Sequence, residues 1–351
     1  MTDPIANHAT AADFAKRLLE FLERNRDTLS PLLILPHDFP DPDALSAAFG
    51  LQHLAQQRFG IESRIAFGGV IGRVENRAMV KLLRIPAHPL HKTDFKRYKQ
   101  VALVDTQPAF RNNPFPRQRR AALVIDQHAS LEPPNAELTL VDPGCGATCV
   151  IVAQALLLAA VEIPGRLATA LAYGILSDTL DLYRATRPDV VETYLSVLHH
   201  SDMRALARIQ NPPRSRSYFV TLSRCVREAV MRQRLIVSHL GAVNVPEMVA
   251  QMAEHLLTYD RASWAFCTGR YKGRLHLSLR TSRPDAQAGE VLRDIVDNPK
   301  NAGGHRAIAG GSFLVGTNKP DDLWRHQEQT LQSRLVKRLR LSRRTEFRKA
   351  F

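Results

Sequence analysis

The feature that most constrains this chain is an alternation in its first 200 residues between short apolar runs and longer stretches with helical periodicity. The runs are Leu32–Leu35, Arg64–Phe67, Val101–Val104 and Ala121–Ile125. The helical stretches are Ala11–Arg26, Ala44–Phe59, Asn76–Leu83 and Thr148–Ala160, the last with a Thr at its start. Short apolar runs fit strands buried on both sides, and strands alternating with helices imply a parallel sheet covered on both faces. The expected fold class is therefore α/β, a parallel-sheet domain followed by a smaller mixed α+β domain, with an active site in the cleft between them.

The first domain is expected over residues 1–198. A polar, turn-rich linker follows over 199–217, containing Asn211-Pro212-Pro213-Arg214-Ser215-Arg216-Ser217. A smaller domain over 218–318 has strands near 265–267 and 275–279, helices over Pro246–Leu257 and Ala288–Val296, and a glycine-dense loop before a last strand, Ser312–Val315. Residues 319–351 read as a basic tail: Arg334 to Lys349 holds eight Lys or Arg and one Glu, with Leu335, Leu339 and Leu341 interspersed.

The chemistry concentrates where the strands of the first domain end. His37-Asp38-Phe39-Pro40-Asp41-Pro42-Asp43 directly follows the first strand, and an open parallel sheet presents the carboxyl ends of its strands to the ligand. One imidazole and two carboxylates this close suit a hard cation, manganese or magnesium, because uncompensated carboxylates repel. The plainer reading of the same loop is an Asp-rich turn capping the helix at Ala44. Asp105 ends the run Val101–Val104, Asp126 ends Ala121–Ile125, and Asp178 closes Leu171–Ser177. Each alone reads as a strand terminator or a helix cap; together, on one sheet edge beside His37, they read as a multi-carboxylate metal centre.

These motifs resemble the DHH phosphoesterases: H-x-x-P-D-x-D-A, a strand-terminal V-D, a D-H-H-like triplet and G-I-x-x-D-T, in that order. The stretch Gly303-Gly304-His305 to Gly310-Gly311 is similar to the signature of the DHH-associated C-terminal domain. The resemblance covers roughly residues 15–316 and is nearest to nanoRNases that also hydrolyse pAp and to cyclic di-AMP phosphodiesterases. It implies two manganese ions, one held by His37, Asp41 and Asp105 and a second by Asp43, Asp105 and Asp178, with Asp105 bridging. Asp126 and His128 would be catalytic, His128 lying near the scissile phosphate. Ser278, Arg280, Gly303, Gly304 and His305 would hold a substrate phosphate. The triplet departs from the family pattern: it is Asp126-Gln127-His128, so Gln127 stands where the family has a metal-ligating His. An amide oxygen is a weaker, uncharged ligand, which implies a looser second site.

The activity implied is hydrolysis of short oligoribonucleotides or linear dinucleotides such as pApA to 5′-mononucleotides, with pAp as a further substrate. Cyclic di-AMP hydrolysis, or nucleotide or RNA binding without turnover, are the other readings. Composition agrees with an anionic partner: Lys and Arg number 48 against 34 Asp and Glu, a formal charge of +14. Short RNA or a small nucleotide is the expected partner, with nucleic-acid contact through the basic tail, and the resemblance adds a homodimer. Cys145, Cys149, Cys225 and Cys267 form no C-x-x-C pair and read as packing residues, as in a reducing cytoplasm. The N-terminal segment has no apolar run of the signal-peptide kind, and the longest apolar stretch, Cys149–Ile163, is interrupted by Gln154 and Glu162. A cytoplasmic protein with no membrane partner is expected.

Overall fold

The computed structural model describes residues 10–130, 132–304, 306–342 and 345–351. Two compact units divide at Pro212 and Pro213. The first contains six strands: β1 Leu32–Pro36, β2 Ser63–Phe67, β3 Ala87–Pro89, β4 Gln100–Val104, β5 Ala121–Asp126 and β6 Ala136–Val141. They form one sheet in the order β3-β2-β1-β4-β5-β6, and every neighbouring pair is parallel. The order reverses between β1 and β4, so a crevice opens at their carboxyl ends.

Side chains alternate across the sheet, as the pleat requires. Leu32, Ile34, Ala102, Val104 and Ile125 enter one core beneath the helices Ala11–Leu29, Pro42–Phe59, Thr148–Leu158 and Gly165–Thr179. Leu33, Leu35, Val101, Leu103 and Val124 enter a second core closed by Tyr98 and Phe115. The central helix Pro42–Phe59 is buried over most of its length. It lies so close to its neighbours that a Cβ on Gly174 would stand 2.7 Å from Ser46 Oγ, which only glycine avoids.

The second unit carries a mixed sheet in the order β11-β12-β10-β9-β8-β7-β13. Its strands are β7 Val230–Arg232, β8 Leu235–Ala242, β9 Trp264–Tyr271, β10 Arg274–Thr281, β11 Ala302–Gly304, β12 Ile308–Leu314 and β13 Arg348–Lys349. Only β8 and β9 run parallel; the other pairs are antiparallel.

Several sequence expectations change here. The expected linker contains a helix, Met203–Gln210, which buries Leu206 and Ile209. The expected basic tail is largely a helix, Asp321–Arg338, with Trp324, Leu331 and Leu335 in the core of the second unit. Those residues recur at i, i+7 and i+11 and so share one helical face despite the surrounding charge. The glycine-dense loop is mostly strand, because β11 pairs with β12. All four cysteines are buried as free thiols. Among the described residues no helix is long and apolar enough to cross a membrane.

Candidate metal centre

The residues singled out after β1, β4 and β5 meet at the carboxyl ends of these adjacent strands. His37 follows β1, Asp105 follows β4, and Asp126 is the last residue of β5. Asp105 adopts a left-handed backbone, φ 56°, which redirects its carboxylate toward His37. Of the two readings of Asp178, strand terminator and helix cap, the structure has it in the last turn of a helix, Gly165–Thr179.

Three side chains form a site in which each anchors one polar atom and leaves the other open. His37 Nδ1 donates to the carbonyl of Asp38 at 2.8 Å, which leaves Nε2 as the nitrogen facing the other two side chains. Asp41 caps the helix Pro42–Phe59, its Oδ1 accepting from the Ala44 amide at 3.0 Å, while Oδ2 stands 3.6 Å from His37 Nε2. Asp105 Oδ1 accepts from Thr148 Oγ1 at 2.7 Å, while Oδ2 stands 3.5 Å from His37 Nε2. Two ligands each about 2.0–2.2 Å from one ion, at tetrahedral or octahedral angles, stand roughly 3–3.5 Å apart. The open Nε2 and the two open Oδ2 atoms therefore have the spacing and chemistry of a cation site, and His37, Asp41 and Asp105 are a group that could hold a metal ion. The helix-cap reading of Asp41 and its ligand reading are both satisfied, one by each oxygen.

The other acids are occupied. Asp43, wholly buried, accepts from the backbone N–H of Thr148 at 2.6 Å and of Cys149 at 2.8 Å, so it caps the helix Thr148–Leu158 with both oxygens. Asp126 Oδ2 accepts from Gln107 Nε2 at 2.8 Å, and its Oδ1 accepts from His128 Nδ1 at 2.8 Å and the His128 amide at 3.1 Å. Asp105, Asp126 and His128 also lie close enough to form a metal-holding group, but in this one the His–Asp hydrogen bond is already made. Gln127 Nε2 donates to Asp178 Oδ2 at 2.5 Å and reaches Asp43 Oδ2 at 3.4 Å.

The clustered carboxylates raise the proton affinity of the centre. Burial favours neutral His37, but the hydrogen bond and charge of Asp41, with Asp105, outweigh it and push the imidazole up to about 10. Burial and then the charge of Asp41 lift Asp105 to about 6. Burial with the charges of Asp41 and Asp105 lifts Asp178 to about 7. Burial, then Asp105, Asp178 and Asp41, push Asp43 well above the usual carboxylate range. His128 rises to about 9, chiefly through its hydrogen bond to Asp126. A site that holds protons this firmly is one that attracts cations.

Sequence reasoning noted Thr148 only as a helix start, and Gln107 not at all. Both are buried and orient centre carboxylates. No local pattern marks Gln107; Thr148 is legible only as the first residue of a buried helix.

The remaining candidates lie in the second unit. Ser278 and Arg280 sit two apart on β10 and so share a face. Ser278 Oγ is buried without a hydrogen-bond partner among the described residues. Arg280 is 7% exposed; its Nε pairs with Glu254 at 3.3 Å, and its Nη1 donates to the carbonyls of Leu279 and Ala309. Gly304 has φ 138°, and a Cβ there would meet Ile308 O at 2.2 Å, whereas a Cβ on Gly303 would meet nothing within 4 Å. His305 lies outside the described residues.

The three side chains that could hold a metal ion lie at the switch point of a parallel sheet, and residues 31–175 match the DHH family, N-terminal domain. The matched span takes in His37, Asp41, Asp43, Asp105 and Asp126 to His128, and ends just before Asp178. Over 309 residues the chain is 31% identical to an uncharacterized protein of Methanocaldococcus jannaschii, covering 87% of this chain and 62% of that protein's length. The chain thus spans less than two thirds of the curated relative it matches. In fold it is similar to an exopolyphosphatase-related protein from Bacteroides fragilis, with a TM-score of 0.72 at 14% identity over 93% of this chain and 97% of that one.

Proposed function

We propose that this protein is a metal-dependent phosphoesterase that hydrolyses short oligoribonucleotides or linear dinucleotides such as pApA to 5′-mononucleotides. The observation that carries the reading is the set of three unspent ligand atoms on His37, Asp41 and Asp105, inside a segment that matches the DHH family. When bound there, a divalent cation would acidify a water and offset charge on the phosphoryl oxygens. Manganese is the metal proposed.

The chain's own residues would do the rest. His37, its ring fixed by the Asp38 carbonyl, would offer Nε2 once the cation displaces the proton there. Asp126 holds His128 Nδ1, so the outer Nε2 of this 54% exposed ring can carry a proton to the leaving oxygen. Its hydrogen bond to Asp126 raises His128, which favours the protonated state an acid requires. In the second unit, Gly303 has surface that a phosphate can approach closely, and Ser278 has an unspent hydroxyl beside Arg280. These, with His305, are the proposed phosphate-holding residues, and the formal charge of +14 suits anionic RNA.

The test is product analysis after incubation with manganese and pApA, pAp, cyclic di-AMP or a 24-nucleotide RNA, with an Asp41→Ala, Asp43→Ala double variant as the blank. Mononucleotide released from pApA by the wild type alone is the expected result. Tight nucleotide binding with no turnover of any substrate would reject hydrolysis in favour of sensing.

A further inference from the structure

The acids of the centre divide into two sets, and the division bears on how many ions it takes. We infer that the centre takes one divalent cation, on His37, Asp41 and Asp105, and that Gln127 fills the place between Asp43 and Asp178 as a fixed neutral donor. This deepens the proposed phosphoesterase reading and rests on it.

In the first set each side chain keeps one polar atom with no hydrogen bond outside the set, and these three atoms gather at one place. In the second set Asp43 Oδ1, Asp43 Oδ2 and Asp178 Oδ2 already accept hydrogen bonds, and Gln127 stands between the two acids. Both oxygens of Asp43 receive backbone N–H groups from the start of a buried helix, donors that cannot be withdrawn without breaking the helix end. Asp178 Oδ2 receives the Gln127 amide at 2.5 Å, and the same nitrogen lies 3.4 Å from Asp43 Oδ2. An amide presents hydrogens on one end and a lone-pair oxygen on the other, and two carboxylates are satisfied only by the hydrogen-bearing end. An ion between Asp43 and Asp178 would have to evict that nitrogen and face the N–H groups that point at Asp43. A histidine at position 127 could instead offer a lone pair, so the glutamine itself closes the place.

The test counts ions without substrate. The protein is stripped with chelator and titrated with Mn2+, with bound ion read by calorimetry and by loss of the free-ion electron spin resonance signal. The wild type is expected to bind one ion per chain with an uncoupled spectrum. Gln127→His should bind two and acquire the signature of a spin-coupled pair. Asp178→Asn, which keeps the shape of the site, should still bind one ion with unchanged affinity. Two ions in the wild type, none, or a Gln127→His variant that stays at one would each overturn the inference. Failure of the functional reading looks different: one ion bound and no phosphoester turned over leaves the ion count standing and removes the activity.

Discussion

The two units differ in what some of their charged groups leave open. In the first, Asp41 and Asp105 each anchor one oxygen and leave the other facing His37. In the second, Arg280 is buried and engaged with Glu254 and with the carbonyls of Leu279 and Ala309. A buried charge whose hydrogen bonds are all made is explained by the fold; one with an open atom calls for a ligand. The open atoms make the first unit the stronger functional claim. In the second unit, interest moves from Arg280 to Ser278 and Gly303.

The largest effect should come from closing an open atom. Asp105→Asn tolerates the left-handed backbone but replaces a ligand oxygen, so Mn2+ binding and turnover should vanish together while the melting temperature holds or rises. Retained ion binding would break the comparison. Next, His128→Gln should lower kcat roughly 10²–10⁴-fold, as loss of a general acid does, with ion affinity unchanged. Thr148→Val removes the anchor of Asp105 Oδ1 and should weaken Mn2+ affinity about 10–100-fold in the same titration.

Acidity offers a further probe. Ion-free, folded His37 holds its proton up to about pH 10, against 6.5 ordinarily, so the folded state binds more protons across that window. Its contribution to stability is complete below pH 6.5 and is lost as pH rises through 10. Asp178, lifted from 3.8 to about 7, acts in the same direction at lower pH, because its folded form also favours the proton. Chelated protein should therefore lose denaturant stability between pH 5 and pH 10, and His37→Gln should flatten the upper part of the curve. Smallest of all, Gly304→Ala should cost about 1–3 kcal/mol through its backbone conformation, whereas Gly303→Ala should leave stability unchanged and raise KM. Equal stability losses at the two glycines would remove Gly303 from the substrate site.

Much of the first unit was legible because buried parallel strands announce themselves as short apolar runs, and the residue after each run falls at the sheet's open edge. By that logic His37, Asp105 and Asp126 fall at strand ends, and the structure has them there. Asp178 closes an apolar run that could have been strand or helix, and in the structure that run is a buried helix. The same logic missed β6, whose residues are mostly part-exposed, including exposed Glu137. The ordering of Asp321–Arg338 was hidden because three core contacts are diluted among many charges. The distinction between open and spent carboxylates was not legible at all, since it depends on amides such as those of Ala44 and Thr148, which every residue possesses and no side chain advertises.

The shared duty of Asp41 has a consequence for reading variation at that position. A screen scoring only folded yield would classify it as a helix cap, and one scoring only turnover would classify it as a ligand. Asparagine caps helices as well as aspartate does. Asp41→Asn should therefore keep its oxygen on Ala44 and turn an NH2 group toward the ion's place, giving a well-folded chain that repels the cation. Position 41 thus separates inheritance of the fold from inheritance of the chemistry, and a single atom exchange tells descendants that kept both from those that kept only the scaffold.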